Sequence, residues 1–244
     1  MANLKVNTVS GIGTEGTVFD GGLHFRSLNY MTLPKGDTTQ RGRGRGLWAG
    51  GTTGVSSNII QYAELSSQGN TIDFGDLSAV NDSAMATASA TRAVFGGGRN
   101  HPSYYNKIDT VEIATTGNAT DFGDVTTARG NMSGGMCAST TRGLLSGGYV
   151  NPSPYPRVNL IDFITIATTG NSTDFGDLTV TGNGVGANSN TLRGVFAGRV
   201  NPSKQQVIDY VDIATTGDAR DFGDLLNVFG NLGGTSDSNG GLSE

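Results

Sequence analysis

The sequence predicts an all-β protein, β-propeller-like, made of four four-stranded repeats behind an N-terminal extension. Three observations carry the prediction. The tetrapeptide Asp-Phe-Gly-Asp recurs four times, beginning at Asp73, Asp121, Asp174 and Asp221, so successive copies stand 48, 53 and 47 residues apart. The apolar residues fall into short β-branched runs divided by Gly, Asn, Pro and Ser, as strands and turns require. Runs of Leu, Glu, Lys and Ala at helical spacing are missing from the sequence.

Each repeat reads in the same order. It opens on an arginine and a glycine-ended strand: RGLWAGG from Arg45, RAVFGGG from Arg92, RGLLSGG from Arg142 and RGVFAGR from Arg193. A polar loop of variable length follows, then a β-branched segment (NIIQYAEL, KIDTVEI, NLIDFITI, VIDYVDI). Three of the four Asp-Phe-Gly-Asp copies are preceded by nearly one phrase, ATTGNAT from Ala114, ATTGNST from Ala167 and ATTGDAR from Ala214. The first copy has SSQGNTI from Ser66 instead. A stretch of small residues such as GNMSGGMCAST closes the unit. About four extended segments in 40 to 50 residues is the arithmetic of a propeller blade. The second segment is apolar on both faces, as in Ile161, Phe163, Ile164 and Ile166, which suits a blade held between two neighbours. The expected organisation is an arm over residues 1–44, for attachment, oligomerisation or ring closure, and a repeat domain over 45–244. Its repeats run over about 45–91, 92–141, 142–192 and 193–239.

The glycine pairs Gly97-Gly98 and Gly147-Gly148, the β-branched second strand, the aromatic after a turn and the arginine-bearing link resemble kelch repeats, with Phe in place of the kelch tryptophan. The fourth repeat departs, with Gly198-Arg199 instead of a pair. The wording of the repeats, RGVFAG followed by IDYVDIATTGDARDFGDL in the last one, is similar to structural and tail-fibre-like proteins of marine tailed phages, cyanophages among them. The opening LKVNTVSGIGTEGTVFDGGLHFRSLNYMTLPKGDT resembles the start of such virion proteins. The resemblance implies a virion location, with other virion proteins and further copies of the chain as partners.

Composition narrows the function. Net charge is −5 and the pI about 5.0, against a nucleic-acid partner. The basic run Arg41-Gly-Arg43-Gly-Arg45 reads as a solvated linker. Cys137 is the single cysteine, so a disulfide within the chain and a cysteine zinc cluster are excluded. No apolar run is long enough to span a bilayer, and the first residues lack a signal-peptide pattern, so synthesis in a host cytoplasm is expected. No cofactor and no enzymatic activity are expected. His24 and His101 lie in different regions, without a nucleophile motif beside them. The kinase reading of Asp-Phe-Gly fails for want of a phosphate loop, strand lysine and catalytic loop.

Calcium is the more serious alternative for the four motifs: Asp73 and Asp76, Asp121 and Asp124, Asp174 and Asp177, Asp221 and Asp224, with Asn118, Asn171 or Asp218 nearby. Two carboxylates per loop are too few for a calcium cage. No metal is therefore assigned. The structural reading has Phe74, Phe122, Phe175 and Phe222 plugging between blades while each Asp caps a turn through its own backbone. The four opening arginines likewise read as architecture, pairing with a repeat carboxylate or covering a neighbouring blade. What differs between repeats is the loop after the first strand. Those loops hold Tyr104, Tyr105, Tyr149, Tyr155, His101 and Arg157, and five of the six prolines. Stiff loops bearing Tyr and Arg are suited to a partner, for instance a host surface polysaccharide stacked on tyrosine. Two functions follow as expectations: a virion structural subunit (tail fibre, decoration or filament), or an adhesin using those loops.

Overall fold

A computed structural model describes residues 44–65, 67–130, 135–151 and 154–236. Residues 1–43 of the expected arm, with His24, Arg41 and Arg43, lie outside the described residues. Among the described residues the structure is all β, with no helix.

The first sheet is β1 (Arg45–Ala49), β2 (Ile59–Glu64) and β3 (Ile72–Asp76), antiparallel in that order. The second is β4 (Met85–Ala88), β5 (Arg92–Gly96), β8 (Lys107–Glu112) and β9 (Thr120–Asp124), with the hairpin β6 (Arg99–Asn100) and β7 (Ser103–Tyr104) standing between β5 and β8. After β10 (Arg129–Gly130) come β11 (Met136–Ala138), β12 (Arg142–Ser146), β14 (Leu160–Thr165) and β15 (Thr173–Asp177), forming the third sheet, while β13 (Tyr149–Val150) pairs with β10. The fourth sheet is β16 (Gly186–Ser189), β17 (Arg193–Asn201), β18 (Ser203–Asp212) and β19 (Arg220–Phe229).

The sheets are offset from the phase in which the sequence was read. The small-residue stretch that closes one sequence unit hydrogen-bonds to the arginine strand of the next, so β4 pairs β5, β11 pairs β12 and β16 pairs β17. Short polar turns join them. Ser89 Oγ accepts from the amides of Thr91 and Arg92, Ser139 Oγ from Thr141 and Arg142, and Asn190 Oδ1 from Leu192 and Arg193. These side chains take up amides that the tight turn leaves without a ladder partner. At the other end of the opening strand the glycine pairs turn the chain: φ is +63° at Gly97 and +103° at Gly98, a region that glycine enters without a Cβ clash.

Asp-Phe-Gly-Asp is not a turn, and that expectation is corrected. It is the outermost strand of each sheet, and it carries a bulge at the same place every time. Ile60 pairs Gly75 while Gln61 pairs Asp73, leaving Phe74 as the extra residue; Phe122, Phe175 and Phe222 occupy the same position in their sheets. The following glycine takes φ of +138° to +147°. A bulge rotates the strand locally, and here it aims the phenylalanine at the next sheet. Phe74, Phe122 and Phe175 are buried there in three clusters that each span two consecutive sheets. Burying a side chain of that size contributes roughly 2 kcal/mol.

Candidate functional site

The junction between consecutive sheets is built from the repeated motif, and its geometry recurs three times. The amide of Gly117 donates to Phe74 O at 2.8 Å and that of Ala119 to Asp76 O at 2.8 Å, while the amide of Asp76 donates to Asn118 Oδ1 at 3.1 Å. Gly170, Ser172 and Asn171 repeat the set against Phe122 and Asp124, and Gly217, Ala219 and Asp218 against Phe175 and Asp177. The ATTGN phrase thus docks on the free edge of the preceding sheet's last strand. Asn118 and Asn171, the oxygens that a calcium ion would have shared, are committed to backbone amides. The expectation that every aspartate caps its own backbone is corrected. Such a bond occurs at Asp221, whose Oδ1 accepts from Gly223 N at 3.1 Å, whereas Asp76, Asp124 and Asp177 work through their main chain across the junction. Asp73, Asp121 and Asp174 are exposed. At the third junction burial, and then the charges of Asp218 and Asp174, raise the Asp177 carboxyl above the ordinary range.

Of the opening arginines, Arg45 and Arg92 both pair with a carboxylate of their own repeat and reach the next sheet. Arg45 Nε donates to Glu64 at 2.8 Å, and its Nη1 reaches Ile113 O in the next sheet at 2.9 Å. Arg92 spans to Ile166 O and Arg142 to Ile213 O in the same way. Three of these arginines also lie over an aromatic ring of their own sheet: Arg45 over Tyr62, Arg142 over Phe163 and Arg193 over Tyr210, each at 4.6 Å. Each of those rings meets the motif phenylalanine edge-on.

Between the sheets lie polar centres that the sequence reading missed. Asp162 accepts from Arg129 Nη1 at 2.9 Å and from Thr126, and Asp209 accepts from Arg199 Nη2 at 2.7 Å and from Thr179; all four charged side chains are fully buried. Asp109 takes the amide and hydroxyl of Ser78 in the corresponding place. Burial lowers the pKa of Arg129, and the charge of Asp162 opposes that shift. A legible signal existed: an aspartate at the same place in the β-branched segments of three repeats, and Ser or Thr just beyond three of the four motifs.

The tyrosine loops gather at one end of the second and third sheets. Tyr104 in β7 and Tyr155, in the loop between β13 and β14, come together from different repeats, ring centroids 5.7 Å apart. Arg157 lies over the Tyr149 ring at 5.0 Å, donates to its hydroxyl at 3.0 Å and to Asn183 Oδ1 at 3.1 Å. Arg99 Nε pairs with Asp82 at 2.8 Å; that bond, and lesser contributions from Tyr104, raise its pKa against the opposing effect of burial. The four tyrosines are half-buried, so each presents part of a ring while packing the rest. His101 is exposed in the turn between β6 and β7, apart from any described partner. Tyr105 contributes main-chain bonds to Gly98 and Arg129. A concavity of about 450 Å³ lies away from these loops, between the turn at Ser89–Arg92 and residues Thr140, Ile166 and Ala167; among the described residues, Arg92 is the one ionisable side chain in its lining.

No family model and no curated protein matches this chain.

Proposed function

We propose that the chain is a non-enzymatic structural subunit of a phage virion, a tail-fibre, decoration or filament component. Its four sheets act as kelch-like blades of a propeller-like array, and its assembly runs through the N-terminal arm and the repeat edges. One observation supports this most. The repeated motif builds the junctions between sheets, as backbone bonds, arginine bridges and buried phenylalanines made three times over. The similarity of the repeat wording to virion proteins supplies the setting. An antibody against the purified chain tests it on particles of the phage that encodes it. Labelling of intact, gradient-purified virions is expected; a chain found free in the lysate and missing from the particles overturns the reading.

A second reading is favoured by the tyrosine loops. In it the contact of Tyr104 with Tyr155 and the clamped Arg157 form a platform for a host surface glycan.

A further inference from the structure

The fourth sheet ends on a junction surface that has no occupant among the described residues, and the first sheet begins on the matching one. The tail surface is the edge of β19. Phe222 O and Asp224 O stand where Phe74 O and Asp76 O accept from the following sheet, and Arg193 stands where Arg45 donates. The head surface is the loop of the first sheet. There the amides of Gly69 and Thr71 correspond to those of Gly117 and Ala119, Asn70 corresponds to Asn118, and Leu65 O to Ile113 O. The apolar faces agree with the polar groups. Inside the chain, Val94, Ile108 and Phe122 of one sheet pack on Leu145, Ile164 and Ile166 of the next. The tail offers Val195, Ile208 and Phe222 at those positions, and the head offers Trp48, Ala63 and Leu65.

Exposure marks these positions as incomplete. Phe222 is 52% exposed, against 2–3% for its three counterparts, and Trp48 is 53% exposed, against 0–5% for Phe95, Leu145 and Phe196. Leu65 is 67% exposed where Ile113, Ile166 and Ile213 are buried. No hydrogen bond among the described residues joins the fourth sheet to the first.

From this we infer that the chain binds a second copy of itself head to tail, β19 of one copy docking on Leu65 and the Gly69–Thr71 segment of the next as the internal sheets dock on one another. This deepens the assembly part of the proposed function and rests on that reading for its biological setting. The partner is a second copy because each surface is the complement of the other, shown by three internal examples. Such a contact joins two different surfaces, so it propagates until the rotation closes a ring or continues as a filament. The chain's own departures from the repeat suit a contact that opens to water. The buried aspartate of the later sheets is Gln61 in the first, and the Ser or Thr that serves it is Leu226 in the last, 99% exposed. A neutral pair costs less to desolvate on association than an ionised carboxylate.

Sedimentation velocity on the full chain tests it, with two blocked variants. One carries Phe222→Arg with Leu226→Arg at the tail; the other carries Leu65→Arg with Asn70→Arg at the head. All four positions are exposed, and circular dichroism of each variant verifies its fold. Wild type should grow in mass with concentration, each variant alone should remain a monomer, and an equimolar mixture should stop at one dimer through its single intact head and tail. A wild type that is monomeric throughout overturns the inference, as do blocked variants that still assemble like wild type. The latter result would leave self-assembly standing through another surface, whereas virions without label would remove the proposed function alone.

Discussion

Arg199 lies in the space that Gly182 leaves. A Cβ on Gly182 would stand 2.8–2.9 Å from Cβ, Cγ and Cδ of Arg199, too close for both to carry side chains in this arrangement. The third sheet has the same pair reversed. There the connector position is Arg129, and the strand position that corresponds to Arg199 is Gly148. Either way one guanidinium reaches the buried aspartate, Arg129 to Asp162 and Arg199 to Asp209. The break in the glycine pair at Gly198-Arg199 is thus a change in which side of the pocket supplies the cation.

This exchange predicts a rescue. Arg199→Gly strands Asp209 as a buried carboxylate without its cation and should cost about 3–5 kcal/mol. Adding Gly182→Arg to that variant should restore most of the loss, because it rebuilds the arrangement of the third sheet and Gly182 has no positive φ to strain. Urea unfolding of the single and double variants checks it. A double variant no more stable than Arg199→Gly would show that the two pockets are not interchangeable.

The repeat itself was legible in the sequence because it rests on main-chain geometry that only certain residues allow: glycine at the bulge, a small polar residue at the turn, an apolar side chain at the bulged position. The role of the arginines was legible too, because an identical place in four repeats argues for architecture. The phase of the sheets was not, since strand pairing depends on which neighbour completes the ladder and Met85–Ala88 has no feature that assigns it backward or forward. Nor was the use of Asn118, which accepts from an amide 42 residues away. Side-chain chemistry alone offered it equally to a cation.

The tyrosine loops give a prediction that separates a platform from simple edge cover. Replacing Tyr104 and Tyr155 together by Ala removes the facing rings, and stacking on an aromatic side chain is worth roughly 1–3 kcal/mol per ring where the stacked group is a nucleobase. Binding of the purified chain to host cells, or to polysaccharide extracted from them, should fall at least tenfold while the unfolding midpoint moves little. Unchanged binding removes the loops from the recognition surface; a collapse in stability with it assigns the rings to packing.

The last prediction sets one substitution at two copies of one motif. Gly123 and Gly223 share the bulge, at φ of +147° and +138°, so alanine strains the backbone at both by about 1–2 kcal/mol. Their surroundings differ. A Cβ on Gly123 would lie 2.4 Å from Gly170 O and 2.5 Å from its carbonyl carbon, whereas one on Gly223 meets nothing within 4 Å. In dilute solution Gly123→Ala should therefore cost at least about 2 kcal/mol more than Gly223→Ala, because it forces apart the second and third sheets at a main-chain contact that no rotamer can relieve. At concentrations where copies associate, the order of the effects on assembly should reverse. Gly223 stands where the next copy's Gly69 would approach it, so Gly223→Ala should weaken association while leaving the monomer folded. Equal stability costs for the two variants in dilute solution would mean that the Gly123–Gly170 approach carries no weight in holding the sheets together.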